Sequence, residues 1–135
     1  MLTLHLAVCN ACRNGTRFAA FHVAFGPHPE GHKTRQGDGR TPEGNYVLDA
    51  RNSASAYYRS LHVSYPNAQD RAQAARLGVS PGGDIMVHGQ PNGWGAFAAV
   101  TQQRNWTLGC IALTNDDMDV VWSSVPVGTP IHIEP

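Results

Sequence analysis

The chain has one lysine, three cysteines, no surplus of either charge and no long apolar run. Each shortage removes a class of protein. Ten basic residues, nine of them arginine beside the single Lys33, balance ten acidic ones. The positive excess with which nucleic-acid binders meet a polyanion is therefore missing, and no nucleic-acid partner is expected. No segment approaches the roughly 20 apolar residues that cross a bilayer, so no membrane span is expected. The opening "MLTLHLAVCNACRNG" has neither the basic flank nor the apolar stretch of a secretory signal. Residence in the cytosol, removal of an export segment and export by another route stay open.

Three cysteines cannot all pair within one chain. Cys9 and Cys12 form a C-x-x-C with no second such pair and no βαβ pattern around it, so small residues at a hairpin are favoured over a redox or zinc site. No metal is expected. What the chain does have is enough apolar sequence, 41% of 135 residues, for one core without staples. A single domain, 1–135, acting as a monomer is expected.

Short strands and turns dominate the pattern. "LTLHLAV" alternates, "RFAAFHVAFG" is aromatic and partly alternating, and Asn14-Gly15 between them is a hairpin turn signal. The stretch 26–44, dense in Gly and Pro, reads as a long irregular loop, and such loops are more often functional than idle. "NYVLDA", "SLHVSYP" and "DIMVHG" read as further strands. "DRAQAARLG" reads as a short helix capped by Asp70 and stopped at Gly78. Residues 90–104 carry no clear signal. A second helix starts at Thr114 or Asn115, with Asp116, Asp117 and Asp119 near its positive end and Met118, Val121, Trp122 and Val125 in one stripe. Pro126 ends it, and "TPIHIEP" closes as a strand. Many strands with two short helices make a β-rich sandwich.

Chemistry could reside where "MVHG" meets "NWTLGC". A thiol nucleophile needs a base held in one tautomer and donors aimed at the oxyanion. His88 ends one buried strand and Cys110 begins another after Gly109, whose missing Cβ permits a sharp turn. The carbonyl of Gly89 can hold the second ring nitrogen of His88. On these residues alone a buried core thiol is favoured over a nucleophile for Cys110, and a structural histidine over a base for His88.

"GDGRTPEGNYVL", "SLHVSYPN", "PGGDIMVHG" and "NWTLGCIALTNDDMD", in that order, resemble the L,D-transpeptidase catalytic domain, or YkuD domain, across roughly Phe18 to Pro135. His88, Thr107, Gly109, Cys110 and Asn115 fall on the family signature. The resemblance implies a mainly β fold with two short helices, a YkuD-like β-sandwich of mixed sheets. It implies an enzyme of the periplasm or cell wall acting on peptidoglycan stem peptides, with no metal or organic cofactor. Cys110 would attack the carbonyl of the third stem residue and release the terminal D-alanine, and an amine, a D-amino acid or water would resolve the thioester. His88 would be the base, oriented by the Gly89 backbone, and the amides of Gly109 and Cys110 the oxyanion hole. Thr107, Trp106, Trp94 and Arg104 are the substrate-binding candidates. Asp38 and Arg40 pair to order the loop or touch substrate charge. Leu108 and Ala112 depart from the commoner pattern, which has a histidine and an arginine there. Two other readings stand beside transfer to an amine: an L,D-carboxypeptidase or endopeptidase using water, including a secreted wall-targeting toxin, and a non-catalytic peptidoglycan-binding domain. Retention of both Cys110 and His88 argues against the last.

Overall fold

The computed structural model describes residues 2–6 and 19–134. The Asn14-Gly15 turn and the Cys9/Cys12 pair lie outside them. Strands β1 (Leu2–Leu6) and β2 (Ala19–Val23) run antiparallel, with Leu2 opposite Val23 and Leu6 opposite Ala19, as the two alternating segments require.

The larger sheet has five strands in the order β6-β5-β4-β3-β7. β3 (Gly44–Ser55) sits between β4 (Tyr58–Val63) and β7 (Thr129–Ile133), antiparallel to both. β5 (Met86–His88) is antiparallel to β4 and parallel to β6 (Ile111–Ala112). Beyond β2, Ala24 bridges Ala112 antiparallel, with N–H to carbonyl bonds of 2.8 and 2.9 Å in the two directions. The small sheet thus continues from the β6 edge of the large one, which makes the fold a mixed sheet system.

Helix α1 (Ala68–Leu77) begins one turn earlier in its capping than Asp70 suggests. Asn67 is the N-cap and accepts the Asp70 N–H at 2.9 Å, while the Asp70 carboxylate returns the bond to the Asn67 N–H at 2.9 Å. The same carboxylate takes the Tyr46 hydroxyl at 2.9 Å and so ties the helix to β3. Gly78 ends the helix in the left-handed region at φ 67°. The stretch without a clear sequence signal holds a 3-10 turn at Gly95–Phe97 and a third helix, α2 (Ala98–Thr101). Three short helices therefore replace the two expected; one turn of helix is too short to show a 3.6-residue period.

α3 (Asn115–Ser124) starts at Thr114, whose side chain accepts the Asp117 N–H. Its Met118, Val121 and the following Val125 are at most 1% exposed and belong to one core with Leu61, Val63, Val87 and Ile111. Burial of each such side chain contributes about 1.5–3 kcal/mol. Trp122 packs against the edge of the same core, partly buried, under the Arg51 guanidinium at 3.9 Å. No helix among the described residues is long and apolar enough to cross a membrane.

Candidate active site

The β5/β6 pairing assembles the site. His88 lies beside Ala112 and Val87 beside Ile111 in parallel register. Alternation then turns His88 and the residue before Ile111, Cys110, toward one face. Both side chains line a cavity of about 650 Å³.

His88 is 4% exposed, and its Nδ1 lies 2.7 Å from the Gly89 carbonyl oxygen. A carbonyl only accepts, so Nδ1 carries the proton and Nε2 keeps its lone pair. Burial pulls the imidazole below its ordinary 6.5, and the bond to Gly89 opposes this more weakly. Cys110 is half-buried and carries a free thiol whose sulfur lies 3.4 Å from the Asp84 carbonyl oxygen. Burial pushes that thiol above its ordinary 9.0; a Met86 backbone hydrogen bond works against the rise, the Asp84 carboxylate adds to it and Lys33 reduces it. Both shifts favour the uncharged forms, so the resting pair is a thiol and a neutral imidazole.

Gly109 shapes the turn before the thiol. It adopts φ 132°, and a Cβ there would stand 2.5 Å from the Arg40 carbonyl oxygen. Thr107 knits the same turn: its hydroxyl accepts the Gly109 N–H at 3.2 Å and donates to the Cys110 carbonyl at 2.8 Å. From the long loop, the Thr41 hydroxyl donates to the Gly109 carbonyl at 2.8 Å. The Gly109 amide is thus committed inside the turn. The Cys110 amide has no acceptor among the described residues.

The loop 26–44 is irregular, as its composition requires, and it is held from within. Asp38 pairs with Lys33 at 2.9 Å and accepts the backbone N–H groups of Thr34, Arg35 and Arg40. Burial alone would raise its pKa; these donors outweigh it and hold the carboxyl at about 2. The partner of Asp38 is therefore Lys33, and Arg40 contributes its amide rather than its guanidinium.

Of the four substrate-binding candidates, Trp106 and Thr107 line the cavity. Trp106 meets the His88 ring edge-on at 5.7 Å, and its indole N–H points to Gln102 Oε1 at 3.4 Å. Trp94 and Arg104 lie outside the cavity: Trp94 is 55% exposed with its ring on Phe97, and Arg104 is exposed. Tyr57, absent from those candidates, lies 4.6 Å from the His88 ring. It sits in the turn between β3 and β4, where Tyr58 takes φ 69°. A turn written "SAYY" shows no glycine or asparagine, so nothing in its composition marks it. The Gly89 N–H donates to the Tyr57 carbonyl at 3.0 Å, which joins that turn to the residue orienting the imidazole. Asn115 braces the strand end from the other side, accepting the Gln90 N–H at 2.8 Å.

This thiol, imidazole and turn arrangement accompanies a match of residues 5–133 to the YkuD family, described as the L,D-transpeptidase catalytic domain. The chain belongs to this family. It is 33% identical over 98 residues to YafK of Escherichia coli strain K12, a stretch that covers 70% of this chain and 32% of that protein. Among solved structures, it is similar to the helical cell shape determining protein Pgp2 from Campylobacter jejuni, at 28% identity and TM-score 0.60, over 83% of this chain and 36% of that one. Bd1075 of Bdellovibrio bacteriovorus shares the fold at TM-score 0.66 and 24% identity, over 98% of this chain and 44% of that one. The chain spans about a third of the length of the curated relatives it matches. Within this L,D-transpeptidase domain, Leu108 is 85% exposed at the cavity and Ala112 is fully buried beside His88. The two departures from the commoner pattern therefore fall on opposite sides of the turn, one facing solvent and one in the core.

Proposed function

We propose that the domain is a cysteine-dependent L,D-transpeptidase of peptidoglycan stem peptides, working in the periplasm or cell wall. The observation that carries the reading is the meeting of Cys110 and a tautomer-fixed His88 in one cavity. As the sulfur attacks the carbonyl carbon of the third stem residue, the neutral imidazole takes the thiol proton at Nε2. The negative charge on the carbonyl oxygen falls to the Cys110 N–H, with Gly109 contributing the turn that exposes it. Collapse breaks the peptide C–N bond; the imidazolium protonates the departing amine, and D-alanine leaves. An amine acceptor then gives its proton to His88 while attacking the thioester, and the thiolate departs and is reprotonated. Uncharged partners suit this sequence, because charge develops only as the sulfur adds to the carbonyl, where the fixed donor awaits it.

Incubation with a disaccharide tetrapeptide followed by mass spectrometry tests the reading. The expected result is free D-alanine and a cross-linked dimer, with an acyl adduct on Cys110, and neither with Cys110→Ala. Tripeptide alone would assign the outcome to water as acceptor. Undiminished D-alanine release by Cys110→Ala would remove the mechanism.

A further inference from the structure

Two formally charged side chains line the cavity, Lys33 and Asp84. They are not equivalent. The Lys33 ammonium is 4% exposed and neutralised by Asp38 at 2.9 Å. Asp84 is exposed at the cavity, and its carboxylate makes no ion pair or hydrogen bond among the described residues. The cavity therefore offers one uncompensated negative charge beside the nucleophile.

The backbone holds that charge in place. Asp84 takes φ 54°, the left-handed region that aspartate and asparagine enter more readily than other side chains, directly after Gly82 and Gly83. Its carbonyl oxygen accepts the Cys110 thiol at 3.4 Å, so the carboxylate cannot be far from the sulfur. A carboxylate there works against the thiolate that attack requires. A carboxylate that opposes the nucleophile, with no counter-ion of its own among the described residues, suits a ligand that arrives with the counter-charge.

Resting on the transpeptidase reading, we infer that Asp84 sets donor specificity: its carboxylate binds an ammonium on the side chain of the residue whose carbonyl Cys110 attacks. The ammonium belongs to the donor rather than the acceptor for a chemical reason. An acceptor amine must lose its proton before it attacks, and a carboxylate that stabilises the ammonium form would hinder that loss. On a donor side chain the charge takes no part in bond making, so the pair forms on binding and persists through acylation.

The test compares two stem tetrapeptides that differ at the third residue, lysine in one and norleucine in the other, which has the same carbon chain without the nitrogen. Single-turnover acylation of Cys110 is followed by intact-protein mass spectrometry, for the wild type and Asp84→Asn. Asparagine tolerates the left-handed region as aspartate does, so the backbone is kept. The wild type should acylate about tenfold faster with the lysine peptide, the worth of one charge-assisted hydrogen bond. Asp84→Asn should lose that preference, while its alkylation by uncharged iodoacetamide stays as fast or becomes faster. A preference unchanged in Asp84→Asn, or equal wild-type rates for both peptides, would overturn the inference and leave the transpeptidase reading standing. Equal slowing of both peptides together with slower alkylation would also overturn it, because the residue would then act on the thiol. No acylation of the wild type by either peptide would remove both readings.

Discussion

The Nδ1 of His88 lies 2.7 Å from the carbonyl oxygen of Gly89, the next residue along the chain. No carboxylate is needed to fix this imidazole; the strand's own backbone does so, and Gly89 is held in turn by the Tyr57 carbonyl. A backbone acceptor orients the ring without a full charge to stabilise imidazolium, and burial then keeps the ring neutral.

The pH profile should show this. With His88 below 6.5 and Cys110 above 9.0, kcat/KM for acylation should rise at a pH under 6.5, run flat through neutrality and change again only beyond 9. A rate that climbs steadily from pH 7 to 9 would mean attack by preformed thiolate. Stability carries the same sign. A depressed folded pKa leaves the unfolded chain binding more protons below 6.5, so stability contributed by neutral His88 is complete above 6.5 and is lost as pH falls toward the folded value. Comparing the melting temperature of the wild type and His88→Gln across pH 7.5 to 5.5 isolates this contribution from the other histidines. The wild type should lose more on acidification.

Gly109→Ala should damage fold and activity together. The new Cβ would stand 2.5 Å from a backbone oxygen, at a φ that side chains rarely adopt. Strain and overpacking sum to about 2–6 kcal/mol. Gly93→Ala is the internal comparison: it shares a positive φ of 85° but meets nothing within 4 Å, so only the strain of about 1–3 kcal/mol applies. Urea denaturation of the two variants measures the difference, and equal losses would show that Arg40 yields to the intruding carbon.

How far the site could be read from sequence follows from these contacts. That His88 and Cys110 share one cavity behind the Gly109 turn was legible from the order of the family-like motifs rather than from any one residue, and the strands because β-branched and aromatic runs are local signals. Tyr57 was not legible: it reaches His88 through a turn that Tyr58 makes at positive φ, a conformation its residue type does not announce. Trp94 and Trp106 looked alike in sequence, yet the 3-10 turn and α2 between them turn one to solvent and the other to the imidazole. The Lys33–Asp38 pair was hidden for a related reason. An irregular loop has no period from which to tell which of its charges face inward.

Asp38→Ala should be the most destabilising change in that loop. It would strand Lys33, 4% exposed, without its counter-ion and free three backbone N–H groups. Breaking one side of a buried pair costs about 3–5 kcal/mol. Lys33→Met with Asp38→Asn should recover much of the loss, because neither partner is then left charged. Acid unfolding gives a second reading: the Asp38 contribution is present above 3.8 and fades as pH falls toward about 2. Chemical denaturation at pH 7 and pH 3 checks both, and a single variant as stable as the double one would mean that Lys33 finds another partner.

Gln90 ties the strand that ends in His88 to the segment that carries Trp106. It is fully buried; its Nε2 donates to the Leu113 carbonyl at 2.7 Å and to Gln102 Oε1 at 3.1 Å, and its Oε1 accepts the Thr101 hydroxyl. Gln102 in turn donates to the Ala112 carbonyl at 3.0 Å and accepts the Trp106 indole. Gln90→Leu keeps the volume and removes every one of these bonds at its own end. The stranded Leu113 carbonyl should cost about 1–3 kcal/mol, while the Thr101 hydroxyl falls back on the Ala98 carbonyl at 3.3 Å. The loss should be local first: α2 is one turn long with exposed neighbours, so its amides and those up to Trp106 depend on this network more than on core packing. Hydrogen exchange should therefore quicken across residues 98–106 in the variant while β3 and β4 keep their protection. Acylation should slow as the Trp106 wall loosens from His88. Unchanged exchange across 98–106 would show that the segment is held by its packing and that Gln90 serves the core alone.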